Sequence, residues 1–236
     1  MAGDKTRRDG SALAAPGGNS LVRVTVRRSD PAAPAVFDVR AAEPMVVLLD
    51  VLLALQRNRD ATFVFRFSCR AGRCGTCTVR LNGTAVLACQ TPVASGAELV
   101  LEPLGGLPVV KDLVVDMGPF QAAWSEVVRL MEPDRAAAPS AGTHQALLDS
   151  SRECISCGAC YAACPVAASG RDFLGPAALA RAAGDPRPQD GPAPVMGPRG
   201  FAGCHSVGAC SVVCPRELDP SLLIRSLRRG RRRRFT

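Results

Sequence analysis

Eleven cysteines in 236 residues are the side chains best suited to chemistry here, and their spacing sorts them into three groups. The first is Cys69-x4-Cys74-x2-Cys77, followed after eleven residues by Cys89. This is the spacing that wraps a 2Fe–2S cluster. Gly72 and Gly75 supply the backbone freedom such a loop demands, and Arg70 and Arg73 offset the charge of four thiolates. A zinc site would more often use paired C-x2-C knuckles.

The second group, Cys154-x2-Cys157-x2-Cys160-x3-Cys164-Pro165, has the bacterial ferredoxin spacing, in which the fourth cysteine ligates the other cluster of a two-cluster protein. A second run is therefore expected, and Cys204-x5-Cys210-x3-Cys214-Pro215 supplies it. Aligned with the first run, it has Val207 at the position of Cys157. Crossing the fourth cysteines assigns Cys154, Cys157, Cys160 and Cys214 to a 4Fe–4S cluster. Cys164, Cys204 and Cys210 remain, and three thiolates suit a 3Fe–4S cluster. Four, four and three ligands use every cysteine.

Other functions fit less well. Eleven is an odd number, which complete disulfide pairing cannot use. The net charge of +8 is concentrated in seven arginines among the last twelve residues, leaving the rest nearly neutral. Such a tail could meet anionic lipid or nucleic acid, or be a solvated end. Met1 to Asn19 lacks the apolar centre of a secretory signal. No run approaches the roughly 20 apolar residues of a membrane span. The chain is thus expected to be cytoplasmic, where cysteines stay reduced. Lysine is nearly absent beside arginine, a bias of GC-rich bacterial genomes.

The elements that must position the cysteines follow from periodicity. Leu21 to Arg27 alternates like a half-buried strand, and Ala35 to Arg40 returns after the turn residues Ser29-Asp30-Pro31. Val46 to Asn58 has helical spacing with Asn58 as its C-cap. Thr62 to Phe67 and Thr78 to Leu81 are expected strands; Asn82-Gly83 marks a hairpin, and Ala97 to Leu104 closes the set. This is an α+β pattern, a β-grasp 2Fe–2S ferredoxin domain followed by an all-α two-cluster ferredoxin-like domain. Leu113 to Met131 is expected to be helical with a break at Gly118-Pro119, and Gly184 to Gly200 too Pro-rich for regular structure. The second half has few large apolar residues and is expected to be organised around metal. The boundaries are a leader at 1–19, the 2Fe–2S domain at 20–105, a connector at 106–143, the 4Fe–4S/3Fe–4S domain at 144–224, and an Arg-rich tail at 225–236.

Phe65-Arg-Phe-Ser-Cys-Arg-Ala-Gly-Arg-Cys-Gly-Thr-Cys77, Asn82-Gly83 and Leu87-Ala-Cys89 resemble the iron–sulfur subunits of succinate dehydrogenase and fumarate reductase. So do Pro108-Val-Val-Lys-Asp-Leu-Val-Val-Asp-Met117, Glu153-Cys-Ile-Ser-Cys157, Phe173-Leu-Gly-Pro-Ala-Ala-Leu179, Cys204-His-Ser206 and Cys214-Pro215. The resemblance implies an oxidoreductase subunit relaying electrons between the FAD of a flavoprotein and a quinone, menaquinone or ubiquinone. It also implies membrane anchor subunits and a peripheral place on the cytoplasmic face of a bacterial inner membrane. Dicarboxylate chemistry would lie on the flavoprotein, so no catalytic acid or base is sought in this chain. His205 would lie between the 3Fe–4S cluster and the quinone, or be a histidine bonded to backbone beside the cluster; His144 is a surface residue of the linker. Where the family carries bulky aromatics after its Cys-Pro, this chain has Ala168 and Ser169. Two other functions remain compatible with the cysteines: the iron–sulfur subunit of another flavin-linked dehydrogenase, or a soluble carrier or sensor.

Overall fold

The computed structural model describes residues 21–28, 34–130, 152–183 and 193–225. The expected leader, the Ser29-Asp30-Pro31 turn, residues 131–151 with the end of the connector and His144, residues 184–192 and the tail beyond Arg225 lie outside them.

The N-terminal half is built on five main strands, β1 (Leu21–Val26), β2 (Ala35–Arg40), β4 (Thr78–Leu81), β5 (Thr84–Leu87) and β7 (Glu98–Glu102). They form one mixed sheet in the order β2-β1-β7-β4-β5. Val22, Val24 and Val26 alternate inward along β1 and are fully buried. β1 pairs antiparallel with β2 (Leu21 opposite Arg40) and parallel with β7 (Arg23 opposite Glu98). That parallel central pair requires a crossover, and α1 (Leu48–Asn58) provides it, burying Leu48, Leu49, Val51, Leu52, Leu53 and Leu55. Each such leucine or valine contributes about 1.5–3 kcal/mol by leaving water. Asn82 and Gly83 both have positive φ, as a two-residue hairpin turn requires, and join β4 to β5. Glu102 carries cations on both sides, Arg27 at 3.1 Å and Arg80 at 3.3 Å.

Several expectations change. Thr62 to Phe67 is not a ladder strand: Thr62 ends a turn and residues 63–67 have no regular structure. Its hydrogen bonds are isolated ones: Val64 N–H donates to Asp112 Oδ2 at 2.8 Å, and Leu113 N–H donates to the Val64 carbonyl at 3.3 Å. The helix starts at Leu48 because β3 (Met45–Val47) pairs with β6 (Pro92–Ala94) as a small sheet. Asn58 is its last residue, and the C-cap is Arg59. Residues 113–117 are not helical; β8 (Val109–Lys111) and β9 (Val114–Val115) form a hairpin there. Gly118-Pro119 begins a helix and does not break one. Asp116 Oδ1 accepts the Gly118 N–H at 2.8 Å at the start of α2 (Gly118–Leu130), where Pro119 lacks only a donor the first turn does not use.

The C-terminal half is helical: α3 (Ala159–Ala162), α4 (Pro165–Ala168), α5 (Gly175–Ala183), α6 (Ala193–Met196) and α7 (Ala209–Val212), with residues 220–225 also helical. The turn at Ala193–Met196 lies inside the stretch expected to be irregular. This half does build an apolar core, made with small residues and borrowed ones. Phe173, Leu174, Leu179, Phe201 and Ile224 pack with Phe120 and Val127 of α2 and with Leu104, Leu107 and Val115 of the first half. Arg199 braces it, gripping Glu126 through two bonds of 2.9 and 3.2 Å.

Asp112 is 4% exposed at its side chain and pairs with Arg28 Nε at 3.5 Å while holding the Val64 N–H. Arg28 also pairs with Asp60 and lies over the rings of Phe37 and Phe63. Removing Asp112 strands a part-buried guanidinium and a backbone donor. Asp112→Ala is expected to destabilise the cluster-loaded protein by about 2–4 kcal/mol in thermal or denaturant unfolding. Asp112→Asn, which keeps an acceptor for Val64, should lose less.

Candidate metal centre

The first three cysteines lie on the irregular stretch before β4, with Cys89 on a 3-10 turn, Ala88–Gln90. Arg70, Gly72 and Gly75 all have positive φ, so the chain coils around a point. The coil turns N–H groups toward sulfur: Ala71 and Arg73 donate to Cys69 Sγ at 3.4 and 3.3 Å. Arg70 is held 5.2 Å above the Phe67 ring. The four thiols are unlike. Cys69 is exposed, whereas Cys77 and Cys89 are buried in the sheet's core. A hydrogen bond from the Thr76 side chain, with backbone N–H groups, lowers the Cys74 thiol to about 6. Burial, with Cys89 alongside, pushes Cys77 up to about 11.

The two later runs fold alike. Ser156 and Ser206 have φ of 53° and 59°, Gly158 and Gly208 have φ of 77° and 85°, and a helical turn begins at Ala159 and at Ala209. The left-handed glycine lets each run turn sharply into its helix; at Gly158 a Cβ would also lie 2.9 Å from Met117 Cε. By this correspondence of backbone positions, Val207 stands where the first run has Cys157.

Two cavities lie among these runs. One is lined by Cys154, Cys157, Cys160 and Cys214, with Phe120 and Leu223 as apolar walls. The other is lined by Cys164, Cys204 and Cys210, with Phe173, His205 and Val207. The structure thus brings together the crossed sets, each cavity borrowing its last cysteine from the other run. Burial raises Cys154, raises Cys157 to about 11 and lifts Cys160 well above the ordinary thiol range, with the neighbouring cysteines adding to it. Cys210 rises to about 11 through burial, beside Cys164 and Cys204.

No three His, Cys, Asp or Glu side chains among the described residues converge as on one metal ion. A polynuclear cluster does not ask for that, because its thiolates bind different irons and stand around it. Buried, crowded thiols with apolar walls suit such a group, whose iron displaces their protons. His205 is exposed at the rim of the second cavity. Ala168 and Ser169 are exposed at the end of α4, where the Ser169 hydroxyl donates to the Val166 carbonyl at 2.8 Å.

Comparison with known proteins agrees with this geometry. A family model described as a 2Fe-2S iron-sulfur cluster binding domain matches residues 21–122, and one described as a 4Fe-4S dicluster domain matches residues 150–218. The chain is 39% identical over 189 residues to the fumarate reductase iron-sulfur subunit of Mycobacterium tuberculosis, covering 74% of this chain and 76% of that protein. It is 32% identical over 246 residues to the mitochondrial succinate dehydrogenase (ubiquinone) iron-sulfur subunit 2 of Oryza sativa subsp. japonica, covering 94% and 78%. The chain belongs to this family of iron–sulfur subunits. One subunit of the fumarate reductase (CoM/CoB) of Methanothermobacter marburgensis is 34% identical over 206 residues, 81% of this chain but 40% of that longer protein. A chain of the Mycobacterium smegmatis Sdh1 complex in the apo form shares the fold, with a TM-score of 0.76 at 23% identity, covering 93% of this chain and 99% of that one. As a member of the succinate dehydrogenase and fumarate reductase family, the protein is an iron–sulfur electron-transfer subunit of an oxidoreductase. No helix among the described residues is long and apolar enough to cross a membrane.

Two contributors were not singled out from sequence, Thr76 beside Cys74 and Gln90 beside Cys89. Both act through side-chain direction, for which spacing carries no signal.

The unlike thiols make a testable order of reactivity. With the thiols placed as here, Cys74 is expected to ionise at lower pH than Cys77, Cys157 and Cys210, which burial holds up. Alkylation followed by mass spectrometry should label Cys74 at least about tenfold faster than those three, because the thiolate is the nucleophile. Cluster loading should abolish the difference by protecting Cys74.

Proposed function

We propose that this chain relays electrons between the FAD of a flavoprotein partner and a membrane quinone, menaquinone or ubiquinone. In this reading Cys69, Cys74, Cys77 and Cys89 hold a 2Fe–2S cluster. Cys154, Cys157, Cys160 and Cys214 hold a 4Fe–4S cluster, and Cys164, Cys204 and Cys210 hold a 3Fe–4S cluster. These groups supply one-electron carriage, and the chain's own residues set where each stands and how strongly it attracts an electron. The domains are those at 20–105 and 144–224, joined by the connector at 106–143.

The observation that carries the reading is the pair of cavities with crossed cysteine sets, differing by Val207 where the other has Cys157. Three thiolates leave one corner without a protein ligand, and Val207 has no lone pair to offer it. The partners follow from the family: a flavoprotein at the ferredoxin-type domain and membrane anchor subunits at the three-thiolate end. Exposed Val207, Val212 and Leu222, close in sequence to residues lining that cavity, support an apolar partner there. The complex would sit on the cytoplasmic face of a bacterial inner membrane.

Low-temperature EPR of the oxidised protein tests the ligand count. A 3Fe–4S signal is expected, and a protein without one would contradict it. Val207→Cys should convert that site toward 4Fe–4S and remove the oxidised signal; an unchanged spectrum would refute the pairing of the two runs. For the quinone end, His205→Ala is expected to slow quinone-linked turnover while leaving electron transfer from flavin to the clusters intact. Full turnover in this variant would remove His205 from the mechanism.

A further inference from the structure

We propose that Gln90 is a positioning residue that raises the reduction potential of the N-terminal cluster by donating an amide hydrogen bond to the Cys89 thiolate. The proposal rests on reading Cys69, Cys74, Cys77 and Cys89 as a 2Fe–2S site.

Each thiolate of that site has its own surroundings. Cys69 is exposed and takes two backbone N–H groups. Cys74 takes the Thr76 side chain. Cys89 is 7% exposed and faces the apolar core, so water cannot solvate its charge. Its donor is the side chain of the next residue. Gln90 Nε2 donates to the Cys89 carbonyl at 3.0 Å and stands 3.9 Å from Cys89 Sγ. One nitrogen with two hydrogens serves both acceptors. The carbonyl contact also fixes which way the amide points, since its own oxygen there would face another oxygen.

The side chain is held in place from the opposite side. A Cβ on Gly72 would lie 3.0 Å from Gln90 Cγ and 3.1 Å from Cδ. The cluster loop therefore closes over the glutamine's methylenes, which a side chain at Gly72 would crowd. Gln90, itself exposed, thus has its methylenes against the loop and its amide nitrogen toward Cys89.

The energetic consequence has a definite sign. Reduction places an extra electron on the cluster and more negative charge on its sulfurs, while the amide keeps its proton. A donor on sulfur stabilises the reduced form more than the oxidised one, so the potential rises. Cys89 is buried but Gln90 is exposed, so water screens this effect in part and the expected shift is moderate.

Potentiometric titration monitored by EPR, on the cluster-loaded protein, tests the role. Gln90→Met keeps the length of the side chain and removes the donor. It should weaken reduction of the 2Fe–2S cluster by about threefold to tenfold, tenfold being 59 mV for a one-electron couple. Gln90→Glu, which places an anion there and donates nothing, should shift it further negative. The other two clusters should titrate as in the unmodified protein. An unmoved 2Fe–2S midpoint in Gln90→Met overturns the proposal, and so does an equal shift of all three clusters. If Gln90→Met does not load, Gln90→Glu decides by the same sign, an unmoved or positive shift overturning it. Absence of any 2Fe–2S signal in the unmodified protein would instead sink the reading of the four cysteines.

Discussion

The two halves of the molecule meet where Gly75 touches Cys157. A Cβ on Gly75 would lie 2.7 Å from both Cα and Cβ of Cys157 and 2.9 Å from the Ile155 carbonyl oxygen, distances that real side chains do not reach. The loop that wraps the first site therefore rests directly on the backbone of the second. Ile155 and Cys157 join the core of the sheet domain through this contact, and the apolar core of the helical half takes in Leu104, Leu107 and Val115 of the first. A cavity of about 280 Å³ has Cys74 on one side and Cys157 on the other. The separation of the first two sites is thus fixed by packing in a continuous interior. A relay of electrons gains from this, because its steps need no large movement of the protein.

The second and third sites share another device. Two short runs with the same backbone course each send their leading ligand positions to their own cavity and the following cysteine to the other. Neither cavity can form from one run alone. The tie extends beyond the cysteines: the Ser211 hydroxyl donates to Asp219, which also accepts the Leu222 N–H at 2.8 Å and begins helix 220–225 ahead of Pro220. Asp followed by Pro is a natural helix start, and here it locks the element after Cys214 to the helix of Cys210. Burial makes Cys154, Cys157, Cys160 and Cys210 resist ionisation, so a bound cluster would have to supply the free energy that displaces their protons. That free energy is folding free energy as well. It accounts for a helical half able to rely on small residues, in a chain with 4% aromatic residues.

What sequence revealed and what it hid divide along local and non-local lines. Strand β2 matches its expected bounds, and the Asn82-Gly83 hairpin appears where positive φ at both residues demands it. Those signals depend on alternation and on turn chemistry within a few residues. The later cysteines line two cavities in the sets that crossing the two runs by spacing gives. Thr62 to Phe67 misled because its β-rich composition serves a different end. Its partners are the Asp112 side chain and the Leu113 N–H, nearly fifty residues away. The β8–β9 hairpin was hidden because Val109, Val110, Val114 and Val115 follow no clear alternation. Gly118-Pro119 carries two opposite meanings, helix breaker and helix start, and only the Asp116 cap decides between them. The shared core was unforeseen because it is spread over both halves, with neither half holding enough large residues to announce it.

The difference between the two cavities of the helical half is placed with respect to the surface. Cys157 is part-buried and packed against the sheet domain, whereas Val207 is 64% exposed. The position that lacks a thiolate is thus the outer one of the second run, beside exposed His205 and Ser206. Restoring a fourth thiolate there would add a charge at the rim, on the side of the cavity that the rest of this chain does not cover. Three thiolates instead leave that side less negative and more apolar. On the proposed ligand sets, the four-cysteine cavity is the one packed against the sheet half, and the three-cysteine cavity is the one whose odd position is exposed.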